Sequence, residues 1–312
     1  MVRIALVGCG EHSEGGHAIP LARYQRQHPE RMVLAAACDI QIGRVRHFCD
    51  KYGFRNAYSN LDEMLSREKI DGCVSVVPMG KIAEIAMNLM ERRIPCSIEK
   101  PLGSSSEEVN HLLASAKSTG TPNMVSVNRR FMPFLNRALE WIKNKRSIEY
   151  VRCTMSRQAR NEPEFIWATA VHAVDTLRYI AGEIRSHKAR NLKFGEHANG
   201  FSLDFVFENS AIGRVDVLPT TGMLEEKYEL FGNGFYVAVT CPFGARRGWV
   251  AYADGVMVRE EWASDELPED VINGCYDETS CFIDLLSNGR PLRPSIADVA
   301  QSVELCMSIA GV

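Results

Sequence analysis

The chain predicts two domains: a doubly wound α/β domain built on a parallel sheet, then an α+β domain whose sheet is mainly antiparallel. Three observations carry this. Short apolar runs alternate with helix-like segments through the first third, a pattern that parallel sheets covered on both faces require. A Gly8-Cys9-Gly10 turn follows the first apolar run directly. Beyond about Asn123 the texture changes to successive strand-like stretches joined by tight turns, which favours antiparallel pairing. The expected domains are therefore residues 1–123 and 124–312.

In the first domain, Arg3-Ile4-Ala5-Leu6-Val7 and Met32 to Cys38 read as doubly covered strands, the second ending at Asp39. Ala18 to His28 and Gln41 to Tyr52 have helical composition. Gly72 to Val77 is the next strand, stopped by Pro78, with Ile82 to Arg92 as its helix. Pro95 to Ile98 ends at Glu99-Lys100-Pro101. Ser104-Ser105-Ser106-Glu107-Glu108 then reads as a helix start, with hydroxyls to cap it and acids near the positive end of its dipole. In the second domain, Met124 to Val127 extends the strand pattern and Pro133 to Asn144 is a helix. Strands follow at Glu149 to Gln158, Phe201 to Glu208, Ala211 to Leu218, Lys227 to Phe231 and Phe235 to Thr240. Gly232-Asn233-Gly234 is a hairpin turn, because Asn and Gly tolerate positive φ. Ser295 to Ile309 is a closing helix.

At 312 residues and 46% hydrophobic content, the chain has enough apolar mass for two ordinary cores. Its formal charge of −3 and the lack of a long basic block argue against a nucleic-acid partner. No apolar stretch approaches membrane-spanning length and Met1 runs straight into a strand, so no membrane role is expected and the expected address is the cytoplasm. Ten cysteines show neither C-x-x-C pairs nor zinc spacing, and several lie inside apolar strands. They read as free, buried thiols, and no metal is expected.

The chemistry-bearing segments lie at strand ends. A glycine turn between strand and helix lets backbone N–H groups approach a pyrophosphate. Ser13 stands where the third glycine of the dinucleotide fingerprint would be, with Gly15 and Gly16 close behind. Asp39 lies further along than the usual spacing of about 20 residues. Its carboxylate suits both ribose hydroxyls of NAD and would repel the extra phosphate of NADP; the plain alternative is a helix-capping acid. Lys100, at the carboxyl end of a strand, would be partly desolvated, which lowers an ammonium pKa and suits it to steady an oxyanion. A solvated loop end is the other reading. His172 and Asp175 are three apart and share a helix face, where a histidine is either a base or a packed core residue. Arg157, Arg160 and Trp167 supply groups for a carboxylate or phosphate and a sugar face, or form a surface loop.

In order and spacing these segments resemble the Gfo/Idh/MocA oxidoreductases over nearly the whole chain. The shared pattern is the glycine turn, Asp39, Glu99-Lys100-Pro101, Arg130-Phe131-Met132-Pro133, His172-x-x-Asp175, and the tail from Cys281 through Gly289-Arg290-Pro291 to Val299. The resemblance implies a Rossmann domain and an open antiparallel sheet that often supports homodimers or homotetramers. It also implies hydride transfer between NAD, less readily NADP, and a secondary alcohol or ketone of a sugar, cyclitol or related polyol. Carried over, Gly8, Gly10, His12 and Ser13 line the pyrophosphate and Asp39 selects NAD. Val77 and Pro78 border the dinucleotide, and Glu99 and Asn128 lie near the nicotinamide. Lys100 bridges nicotinamide and substrate, His172 exchanges the hydroxyl proton, and Asp175 orients that region or contacts substrate.

Two departures matter. Many family dehydrogenases carry a glycine run and an Asp four residues before the histidine, where this chain has Ala168; and Ile82 replaces a histidine common after the fourth strand. Either another group orients His172 or its role has changed. Two further readings therefore stand beside the dehydrogenase: an NAD-retaining glycosidase or sugar-modifying enzyme that uses transient oxidation, and a non-catalytic dinucleotide sensor.

Overall fold

A computed structural model describes residues 1–143, 147–195 and 198–312. The chain divides into two compact units, residues 1–127 with 275–304, and residues 128–274 with 305–312.

The first unit alternates strand and helix. Its elements are β1 (Val2–Val7), α1 (Glu11–Ser13), a π-helical turn at Glu14–Ala18, α2 (Ile19–Gln27), β2 (Met32–Cys38), α3 (Ile42–Tyr52), β3 (Asn56–Tyr58) and α4 (Leu61–Arg67). There follow β4 (Gly72–Ser75), α5 (Ile82–Glu91), β5 (Cys96–Glu99), α6 (Ser106–Thr119) and β6 (Asn123–Ser126). The six strands lie in the order β3-β2-β1-β4-β5-β6 and every pair is parallel. That order reverses at β1, the switch point beside which such sheets bind ligands. Ile4, Leu6, Leu34 and Ala36 are fully buried, as a sheet covered on both faces demands. Ser105 caps α6 by accepting from the Glu108 N–H at 3.3 Å.

Two expectations about this unit change. The border moves from 123 to 127, because β6 pairs with β5 and so completes the first sheet. The chain also returns: α10 (Cys275–Asn288) packs against α2 and β1, and Gly72 is kept small by Phe282 and Leu286 of that helix. The short strand β3 lacked enough residues to show a period.

The second unit opens with a 3-10 turn at Asn128–Phe131 and α7 (Pro133–Lys143); Asn144, placed in that helix by its composition, lies outside the described residues. Next come β7 (Tyr150–Ser156), a second π-helical turn at Phe165–Thr169, α8 (Val171–Ala181), β8 (Ile184–Phe194), β9 (Ala198–Phe207), β10 (Ile212–Leu218), β11 (Glu225–Gly232) and β12 (Phe235–Thr240). β13 (Gly248–Ala253), β14 (Val256–Trp262) and α9 (Glu269–Ile272) follow, and α11 (Ile296–Ala310) ends the chain. The eight-stranded sheet runs β14-β13-β12-β11-β7-β10-β9-β8 and is antiparallel except where β7 meets β10. Val151, Cys153, Phe201, Leu203, Val215 and Val237 face a core that α7 and α8 cover. The opposite face carries charge pairs such as Arg214–Asp204 at 3.1 Å and Arg152–Glu229 at 2.8 Å.

No helix among the described residues is long and apolar enough to cross a membrane. Among those residues no group of three or more His, Cys, Asp and Glu is placed to hold a metal. All ten cysteines are free thiols, nine of them buried.

Candidate active site

The candidate residues fall into two groups, one in each unit. In the first, the carboxyl ends of β1, β2, β4 and β5 bring together the glycine turn, Asp39, Val77-Pro78 and Glu99-Lys100. Gly8 has φ +91°, and a Cβ there would lie 1.9 Å from the Val76 carbonyl oxygen, so only glycine lets the first turn pass the end of β4. Gly10 faces open space, with nothing within 4 Å of where a Cβ would stand. Asp39 pins the cradle: its carboxylate accepts from the Cys9 N–H at 2.9 Å and the Gln41 N–H at 3.0 Å. Ser13 is 1% exposed, and its buried hydroxyl has no hydrogen-bond partner in this structure. An unpaired buried hydroxyl is costly, and a pyrophosphate oxygen in this turn would satisfy it. By this test the residues present fit a dinucleotide.

The π-helical turn after Ser13 widens the helix by one residue per turn and carries a residue that spacing alone had not singled out. His17 is buried, and its Nε2 lies 2.6 Å from Glu99 Oε1; the exposed His12 reaches the same oxygen at 3.3 Å. Burial alone would raise the Glu99 carboxyl, but the two imidazoles hold it well below the usual carboxylate range. Glu99 is thus an ionised, buried anchor directly before Lys100, which is half-buried at the end of β5. The missed signal was a second histidine in the glycine-rich segment. Val77 is half-buried and Pro78 exposed on the neighbouring strand end.

In the second unit, His172 and Asp175 lie on α8, both buried. Asp175 is wholly inaccessible, and Arg130 holds both its oxygens at 2.7 Å. The pair ties α8, which carries His172, to the turn at Asn128–Phe131. The Arg-Phe-x-Pro motif was visible in the sequence; that its arginine meets the acid of the other motif was not.

Arg157, expected to bind a substrate anion, is instead 4% exposed and paired with Glu226. Arg129 binds the same carboxylate at 3.2 Å and Tyr228 donates to it at 2.5 Å. Burial would raise Glu226, but the two guanidinium groups bring it down to about 2. A guanidinium with no partner in its local sequence reads as surface, which is why this pairing was missed. Asn128 belongs to the same structural region: its amide donates to the Asn273 carbonyl at 2.8 Å and accepts from Arg129 at 2.9 Å.

Arg160 is more open. It pairs with Glu162, donates to Thr169 Oγ1 at 3.2 Å and lies 4.9 Å over the Phe165 ring. Trp167 shares that π-helical turn, and its buried Nε1 has no hydrogen-bond partner in this structure. Ala168, where an acid was expected from the family pattern, lies in the same turn.

A parallel sheet in this order, with a glycine cradle and an acid hook at its switch point, is the architecture of a dinucleotide-binding domain. Residues 2–128 match the model of the GFO_IDH_MocA oxidoreductase family, described by its NAD-binding Rossmann fold. The chain is 26% identical over 321 residues to a 4-carboxy-2-hydroxymuconate-6-semialdehyde dehydrogenase of Sphingobium sp., covering 96% of this chain and 94% of the relative. A dehydrogenase structure from Clostridium difficile superposes with TM-score 0.86 at 15% identity, covering 99% of each chain. A myo-inositol dehydrogenase from Corynebacterium glutamicum superposes with TM-score 0.81 at 18% identity, covering 100% of this chain and 96% of that one. The matched family is one of oxidoreductases, and the relative and both structural neighbours are named as dehydrogenases.

Proposed function

We propose that the protein is an NAD-preferring dehydrogenase or keto-reductase for a secondary alcohol or ketone of a sugar, cyclitol or related polyol. The observation that carries this is Lys100 at the end of β5, beside a cradle that fits a dinucleotide and next to the buried Glu99 anchor. Gly8, Gly10, His12 and Ser13 would hold the pyrophosphate, Asp39 the ribose diol, and Val77 and Pro78 the adjoining dinucleotide edge. The bound nicotinamide would accept or return a hydride. In the oxidative direction His172 would take the proton of the substrate hydroxyl. The Lys100 ammonium donates to the substrate oxygen and stabilises the charge that develops as the carbonyl forms. Arg130 and Asp175 keep α8 in place, and Arg160 with Trp167 meets the polar periphery of the substrate. Arg157 and Asn128 act by shaping the second unit.

The similarity to an inositol dehydrogenase supports a polyol, and the similarity to a carboxylated semialdehyde dehydrogenase adds acidic substrates to those worth testing. The test is absorbance at the reduced-nicotinamide band, with NAD and a panel of aldoses, uronic acids, inositols and hydroxy-semialdehydes. A substrate-dependent rise with one class establishes the activity and its substrate class. No rise across the panel, with NAD bound and retained, would overturn the dehydrogenase reading in favour of transient oxidation or sensing, to which Ala168 in place of an acid lends support.

A further inference from the structure

Trp167 carries a donor that the fold does not satisfy. Its Nε1 is buried and has no hydrogen-bond partner, and a buried N–H left unmatched is costly enough to need a reason. The turn that presents it, Phe165–Thr169, contains no acid, and Ala168 stands where one was expected. Arg160 lies along this turn, 4.9 Å from the centre of the Phe165 ring and donating to Thr169 Oγ1 at 3.2 Å. Glu162 and Thr169 take its Nε and Nη2, and Nη1 meets no acceptor among the described residues. Because Thr169 Oγ1 accepts from Arg160, its own O–H is left to donate elsewhere. The open groups on this stretch are therefore all donors.

We infer that the substrate is an acid, whose carboxylate is read by Trp167 Nε1 and Arg160 Nη1; this rests on the sugar or polyol reading proposed above. A hydroxyl brings a proton that needs an acceptor as well as lone pairs that need donors, and this turn supplies donors alone. A carboxylate brings about four acceptor sites and no proton. Its charge also makes each bond to it shorter and about twice as strong as a bond to a neutral oxygen. Glu162 and the Phe165 ring hold the Arg160 guanidinium in place, so that its remaining edge is oriented before the ligand arrives. An acid at position 168 would repel such a substrate, whereas Ala168 does not. The class this selects is uronic and aldonic acids and related hydroxy acids over their neutral counterparts.

The test is calorimetric titration of the NADH-saturated full chain, a complex that an alcohol enters without giving up hydride. The ligands are matched pairs: D-glucuronate against D-glucose, D-galacturonate against D-galactose, and D-gluconate against D-glucitol. Wild type should bind the acid of at least one pair tenfold or more tighter than its neutral partner. Trp167→Phe, which keeps a ring and removes the N–H, should weaken binding of that acid by about tenfold, the worth of one hydrogen bond to a charged group, and leave the neutral partner unchanged. Arg160→Gln should do the same, and a melting curve shows that each variant is folded. Neutral members bound as tightly as the acids, or a wild-type acid affinity in either variant, would overturn the inference and leave the sugar or polyol reading standing. No binding by either member of any pair would overturn both.

Discussion

Arg130 grips both carboxylate oxygens of Asp175 at 2.7 Å, joining two sequence motifs 45 residues apart. Asp175 has no exposed surface, so the ion pair is a buried strut under the helix that carries His172. Asp175→Ala should leave the Arg130 charge without its partner and destabilise the protein by about 3 kcal/mol. Urea unfolding measures this; Arg130→Met with Asp175→Leu should recover much of the loss, because replacing both members with apolar groups removes the uncompensated charge. Stability equal to wild type in Asp175→Ala would rule out the strut.

Acid should act through Glu226. Its folded pKa, about 2, lies below the ordinary value of 4.5, so the stabilisation it contributes is present above pH 4.5 and is lost as pH falls toward 2. The slope of unfolding free energy against pH should therefore be shallower in Glu226→Gln than in wild type between those values. Parallel slopes would show that the carboxylate does not titrate as placed.

Lys100→Met should lower kcat by about 100- to 1000-fold, the usual effect of losing one oxyanion donor, while leaving NAD affinity close to wild type. Single-turnover kinetics on whichever substrate the panel reveals, with a separate NAD titration, distinguishes the two. Unchanged turnover removes Lys100 from the chemistry.

Gly8→Ala combines a positive φ with a Cβ only 1.9 Å from the Val76 carbonyl oxygen. It should cost about 2 kcal/mol or more and weaken dinucleotide binding, because the turn must move away from β4. Thermal melting and NAD titration check both; a variant matching wild type in each would mean that the turn has room to adjust.

Much of the first unit was legible in the sequence because its information is local. Apolar runs of strand length, glycines directly after β1, Asp39 after β2 and Lys100 after β5 each follow from neighbours in the chain, and together they predict a parallel sheet with its ligand edge at the strand ends. The second unit was less legible. β8 is an edge strand with mostly exposed residues, and so it shows no alternation of apolar and polar positions. β14 is another edge strand, and its outward residues blur the same signal.

What the sequence by itself determined is the fold class, the strand–helix alternation of the first unit and the positions of the glycine cradle, Asp39, Lys100 and the His172-x-x-Asp175 helix. What only the tertiary structure decided is which charges are spent. His17 meets Glu99 across 82 residues, Arg157 meets Glu226 across 69, and Asp175 is closed off by Arg130. The reason is physical: periodicity reports which face of an element is buried, whereas the fate of a buried charge depends on a partner that the chain brings up from far away.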